Sequence, residues 1–298
     1  MSDDLPPMIT GKQLELLRKA VEIEQTDAKA VGMVGYQARL WAQVALPYRN
    51  PGEVPHWERR NGRLRLSLTP GLVELPNREF VRLYPFGTMP RLLLTWMSTE
   101  AVRISDRELA LGPSLAAFMR QLDLPRDGRT ISRLRTQVQS LAFCNMQVIE
   151  QRDDATHLAG FQVASAMSLW WTPRERDTDA LWPSTLTLTD EFYRSIKSGP
   201  VPVDLRALAA LRTHGGGGLP IDVYTWLAHR MSYLRASTLV PWSLLAQQFG
   251  SQYKQLRQFK AELLRALPKV LTVYPNAKVT PTTDGLLLSP SPTPISSR

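Results

Sequence analysis

Lys254, Arg257, Gln258, Lys260 and Arg265 fall on the polar side of a segment in which Leu256, Phe259, Leu263 and Leu267 recur at steps of three and four. That spacing predicts an amphipathic helix with one buried stripe and one outer face. Arg and Lys pair with guanine O6/N7 or with phosphate oxygens, and Gln pairs with adenine, so this outer face suits the major groove of duplex DNA. Arg257 and Gln258 lie toward the N-terminal end, the part of a recognition helix that commonly reaches base edges. Lys254 and Arg265 are better placed for phosphates. A basic helix face is otherwise an ordinary solvated one, and its setting must distinguish the two.

The setting is a helix-turn-helix. Pro241 after Val240 suits the first turn of a helix, because its missing N–H would be unpaired there. Leu244, Leu245 and Phe249 supply that helix with an apolar side, Gly250 predicts a left-handed stop, and Ser251 a cap for the basic helix. Beyond it, Val270, Leu271, Val273 and Tyr274 read as a strand, with Pro275 and Asn276 as a turn. Helix, turn, helix and hairpin in this order predict a winged helix.

The same grammar occurs earlier in the chain. Pro90, Arg91, Leu92 and Trp96 open an apolar helix as Pro220, Ile221, Val223 and Trp226 do. Gly112 to Leu124 then supplies Leu115, Phe118 and Leu122, and Asp127–Gly128 a turn. In the next segment Ile131, Leu134, Val138 and Leu141 share one side, leaving Arg129, Arg133, Arg135 and Gln139 outward as further DNA-contacting candidates. Met146 to Gln151 and His157 to Ser165 read as the strands of a wing. The expected fold class is therefore α+β, with two winged helices in tandem.

Charge agrees with a polyanionic partner. Lys and Arg total 36 against 27 Asp and Glu, a formal net charge of +9 in 298 residues. Such a balance favours nucleic acid through counterion release, and the basic residues are spread along the chain, not gathered as a membrane-surface cluster. No apolar run approaches a membrane span, and the acidic start MSDDLPPMIT does not resemble a secretory signal, so a cytoplasmic protein is expected. Cys144 is the only cysteine, which excludes an internal disulfide and a cysteine-based zinc finger. A DNA-nicking enzyme would need a tyrosine nucleophile beside paired metal-binding histidines, yet His56, His157, His214 and His229 are isolated from one another. No phosphate-binding G-x-x-x-x-G-K-[ST] loop occurs either. No catalytic residue, metal or cofactor is expected.

In order, the chain divides into a helical and loop-rich N-terminal extension (1–60), a first winged helix (61–166), a connector with Trp170 and Trp171 (167–182), a second winged helix (183–280) and a disordered Pro/Ser/Thr tail (281–298). Within the extension, Thr10 caps a helix with Leu14, Leu17 and Val21 on its apolar side. In the first domain Leu64, Leu66 and Leu68 alternate with Arg65 and Ser67 as a half-buried strand. In the second, Thr185 to Thr189 reads as a strand, Asp204 caps a helix from Leu205, and four glycines, Gly215 to Gly218, precede the helix at Pro220.

PRLLLTWMSTEAVR with RELALGPSLAAFMRQL, and PVDLRALAALR with IDVYTWLAHRMSYLR, VPWSLLAQQFG and FKAELLRALPKVLTVYP, resemble the plasmid replication initiators of the RepA family, in the group with a RepA C-terminal domain. The resemblance spans about residues 64–279. It implies an initiator that binds repeated sites, or iterons, at a plasmid origin, helps open an adjacent A·T-rich segment and brings in host replication proteins. It also implies a second copy of the chain as a partner, since such initiators often repress their own promoter as dimers. The glycine run 215–218 is longer than that family usually carries. A transcriptional repressor of the same fold is the alternative that composition and spacing leave open.

Overall fold

A computed structural model describes residues 10–75, 77–151, 153–168, 184–250, 253 and 255–295. α1 (Gly11–Gln25) starts with a capping box, in which Thr10 Oγ1 accepts from Gln13 N and the Thr10 N–H donates to Gln13 Oε1. β1 (Val34–Gln37) and α2 (Arg39–Gln43) lead to β2 (Trp57–Asn61), β3 (Leu64–Thr69) and a hairpin of β4 (Leu72–Glu74) and β5 (Phe80–Arg82). In β3 the expected alternation holds, with Leu66 and Leu68 fully buried. α3 (Thr88–Ile104), β6 (Glu108–Ala110), α4 (Leu115–Gln121) and α5 (Gly128–Ala142) follow, and Asp127 caps α5 by accepting from Thr130 N at 2.9 Å. β7 (Asn145–Gln151) and β8 (Thr156–Phe161) form the wing, whose sheet β2 and β3 extend in the antiparallel order β2-β3-β7-β8. β9 (Ala164–Ser168) pairs with β10 (Thr185–Leu188), which pairs in turn with β6.

After α6 (Asp190–Lys197), β11 (Val201–Asp204) returns to pair antiparallel with β1, and Asp204 caps α7 (Leu205–His214) as expected. α8 (Gly218–Tyr233), β12 (Thr238–Pro241), α9 (Trp242–Phe249), α10 (Leu256–Val273), β13 (Lys278–Pro281) and β14 (Gly285–Ser289) complete the second winged helix, its sheet ordered β12-β14-β13. The fold is α+β with two winged helices in tandem. Their first helices, α3 and α8, share details beyond pattern. Each follows a glycine at positive φ, Gly87 and Gly217, and each sets its tryptophan edge-on to a phenylalanine of the next helix. The ring centroids are 4.9 Å apart for Trp96–Phe118 and 5.7 Å for Trp226–Phe249.

Several expectations are corrected. Residues 270–273 are not a strand, because Val270 and Val273 continue the buried stripe of Phe259, Leu263 and Leu267 and α10 runs on through them. The second wing therefore begins only after the turn at Pro275 and Asn276. Nor is the chain beyond Thr280 a disordered tail, since β14 is the central strand of its sheet with Leu286 and Leu288 fully buried. Gly250 has φ −104°, so it is no left-handed stop; a Cβ there would lie 2.8 Å from a ring carbon of Phe259. In α1 the inward residue is Leu16, while Leu14, Leu17 and Val21 are exposed, and so are Leu244 of α9 and Leu256 of α10.

Two cores organise these elements. The first gathers Leu66, Leu93, Phe118, Leu134 and Leu141, and the second Leu211, Tyr224, Leu245, Phe259 and Leu286. Leu186, Leu188, Phe192 and Ile196 belong to the first core, so β10 and α6 are part of that half and not of the second. Residues 1–60 are no separate extension where described. Leu16, Ala42 and Ala45 enter the second core, and Trp41, Val44 and Leu46 the first. Trp170 and Trp171 of the expected connector lie outside the described residues, whereas Met167 and Ser168 belong to β9.

Candidate nucleic-acid interface

α10 is positioned from below by Phe259, Leu263, Ala266, Leu267, Val270 and Val273, all buried, which leaves Arg257, Gln258, Ala261 and Arg265 exposed on its outer side. Arg257 Nε donates to Gln255 Oε1 at 2.7 Å, beside the helix start. Arg265 pairs with Glu262 at 2.9 Å, one turn apart on the surface. Lys260 is turned aside. Its Nζ lies 4.8 Å from the Trp242 ring centroid and 3.4 Å from the Thr283 carbonyl, so it ties α10 to α9 and to the wing turn. Lys254 and Ser251 lie outside the described residues.

In α5 the buried side is Leu134, Val138 and Leu141, with Ile131 half-buried. Arg129 and Arg133 are exposed. Arg135 is half-buried, with its Nε shielded from solvent. Gln139 is committed elsewhere: its Oε1 accepts from Glu74 N at 3.0 Å and its Nε2 donates to Glu74 O at 3.4 Å, which pins β4 onto the helix. It therefore leaves the set of DNA-contacting candidates. Arg126, exposed and one turn before Arg129, joins that set; its spacing of three from Arg129 was the available signal, hidden by its place in the turn. The Asp127 carboxyl beside it is held below its ordinary range by the Thr130 N–H and hydroxyl that it accepts from.

Both wing turns carry acidic residues. Asp153 and Asp154 lie at the first, where Asp153 meets Arg63 at 2.6 Å, and Asp284 lies at the second. Exposed arginines occur on both α5 and α10, at the same place in each winged helix.

Other titratable groups are tied to packing. Burial pushes the Cys144 thiol up to about 12 and raises the Tyr224 phenol, which accepts from Asp204 N at 3.0 Å. Burial, then the charges of Arg39 and Arg230, lowers His229 to about 4. Among the described residues no group of His, Cys, Asp and Glu could hold a metal ion, and no helix is long and apolar enough to cross a membrane.

The family described as plasmid encoded RepA protein matches residues 84–242, from the approach to α3 through the start of α9. No curated protein matches the chain. Among solved structures, selenomethionine derivatives of domains 2 and 3 of RctB are similar in fold, with a TM-score of 0.50 at 12% identity over 84% of this chain and 97% of that one. A second structure of the same two domains has a TM-score of 0.48 at 12% identity, covering 83% and 93%.

Proposed function

This chain belongs to the family of plasmid-encoded RepA proteins, and from that premise we propose that it is a sequence-specific initiator that binds repeated sites in duplex DNA at a plasmid origin through α5 and α10. One observation carries the reading: an exposed basic third helix recurs in both winged helices, with Arg129 and Arg133 in one, preceded by Arg126 in the turn before it, and Arg257, Gln258 and Arg265 in the other. In such a fold that helix enters the major groove, and two linked helices make a longer contact than either alone. The net charge of +9 supports the same partner.

Binding would then help open an adjacent A·T-rich segment and bring in host replication proteins in the cytoplasm, with no catalytic residue supplied by this chain. A second copy of the chain would serve as partner in a form that represses its own promoter. Footprinting of DNA flanking the gene, with permanganate to report unpaired thymines, tests this. Protected repeats about one helical turn or a multiple apart, with opened A·T-rich DNA beside them, are expected. Protection without any opening by the purified protein and its host factors would leave a repressor of the same fold as the reading.

A further inference from the structure

Arg91 lies in the first turn of α3 and Asp222 in the first turns of α8, the helices that occupy equivalent places in the two halves. Both are buried, at 3% and 6% exposure. Arg91 Nε donates to Asp222 Oδ1 and Nη2 to Oδ2, each at 2.7 Å. Its other guanidinium hydrogens reach the carbonyls of Leu46 at 2.7 Å, Pro47 at 3.2 Å and Gly87 at 2.6 Å. A planar fork held by five acceptors admits one arrangement of the backbone around it. The Tyr48 ring lies 4.7 Å from the Arg91 guanidinium and 5.1 Å from that of Arg59. Arg59, 1% exposed on β2, crosses to the second half and donates to Gln248 O in α9 at 3.2 Å.

The glycine run finds a reason here. Gly218 is the first residue of α8, and a Cβ on it would lie 2.9 Å from Arg91 Nε and 3.1 Å from Tyr48 Cδ1. Gly216 and Gly217 have φ of +86° and +127°, backbone that L side chains rarely adopt, and they bring the chain to that close approach.

A buried ion pair adds little net stability over apolar packing of the same volume. What such a pair can fix is geometry. We propose that the Arg91–Asp222 pair, seated against Gly218, is the positioning element that sets the angle and separation of the two winged helices, and thereby the spacing of the DNA half-sites the chain accepts. The DNA consequence rests on α5 and α10 being the contacting helices; the geometry can be measured without DNA.

Spin labels on Glu191→Cys in α6 and Ser243→Cys in α9 report the separation of the halves, with Cys144 buried and unlabelled. The parent should give one narrow distance. Asp222→Asn, Arg91→Lys and Gly218→Ala should each broaden or shift it. On duplexes whose half-site separation is stepped base pair by base pair, the parent should prefer one separation by about a hundredfold. The variants should lower that preference to about tenfold or less while binding a lone half-site like the parent, which a merely stabilising pair would not produce. Gly218→Ala and Arg91→Lys keep both charges and decide the matter if Asp222→Asn does not fold. Folded variants with the parental distance and the parental spacing preference overturn the proposal. A parent with no spacing preference whose label distance still responds to the variants supports the positioning role and sinks the two-helix DNA reading instead.

Discussion

Arg257 and Arg265 stand on the same helix face but differ in reach. Arg257, at the first turn, is free to swing from Gln255 toward a base edge, whereas Arg265 is two turns further on and paired with Glu262. Arg257→Ala should therefore cost about 1 to 3 kcal/mol on the specific repeat and relax discrimination at one or two base pairs. Arg265→Ala should weaken specific and scrambled DNA alike and reduce the salt slope by about 1. Titrations of both variants on both DNAs across a salt series separate these outcomes; an intact sequence preference in Arg257→Ala would remove that residue from base readout. His229 gives a second prediction at this scale. Its pKa is lowered to about 4 in the fold and is about 6.5 unfolded, so between these values the unfolded chain holds more protons and stability falls as pH falls. The loss should be on the order of 2 kcal/mol after allowance for solvent reaching one side of the ring, and thermal melts of His229→Gln from pH 7 to pH 4.5 should lack it. Periodicity identifies which residues point outward but not what then covers them. Gln139 and Gln258 look alike in spacing, and only the β4 strand lying over α5 makes Gln139 a structural residue.

The elements were legible where one period dominates. α5 and the first three turns of α10 follow their apolar stripes, and Phe259 is fully buried, in ring contact with Tyr253 at 5.9 Å. Phe259→Ala should cost about 3 to 5 kcal/mol through the cavity it leaves. DNA binding should fall only as far as the variant unfolds, and a parental melting curve with lost affinity would mean that the helix presents its other face. The elements misread are those in which a local preference opposed a longer pattern. β-branched Val270, Thr272 and Val273 favour a strand taken alone, but the 3.6-residue stripe extends through them and packing decides. GLLLS is masked by the Pro, Ser and Thr-rich composition around it, although its strand is hydrogen-bonded on both sides, to β12 and β13. Truncation before Gly285 should accordingly abolish the cooperative unfolding of the second half as followed by its tryptophans, and binding by α10 with it. A truncated chain that kept a parental transition would show that β14 is dispensable.

At the scale of the molecule the repeated grammar of α3 and α8 was readable from Pro90, Trp96, Pro220 and Trp226, but the contact between those helices was not. Arg91 and Asp222 are 131 residues apart, and neither carries a local mark of its partner. The same closeness governs how the two-helix reading can be tested. A fragment of residues 1–182 would lack β10 and α6, which belong to the first core, and keep Leu16, which belongs to the second, so its weak binding would report damage to both cores. The informative experiment keeps the full chain and disables one helix at a time. Arg129→Ala with Arg133→Ala should lose protection over one part of each repeat and retain it over the other, and Arg257→Ala with Gln258→Ala should do the reverse. Each pair of changes should reduce affinity by about a hundredfold, because the second of two linked contacts benefits from the high effective concentration set by the first. All four side chains are exposed, so the melting temperature should stay near that of the parent. With all four replaced, the remaining binding should be weak, indifferent to sequence and steeply dependent on salt. If the α5 pair of changes left the footprint and affinity of the repeat intact, α10 alone would read the DNA, and the first winged helix would be free for another partner.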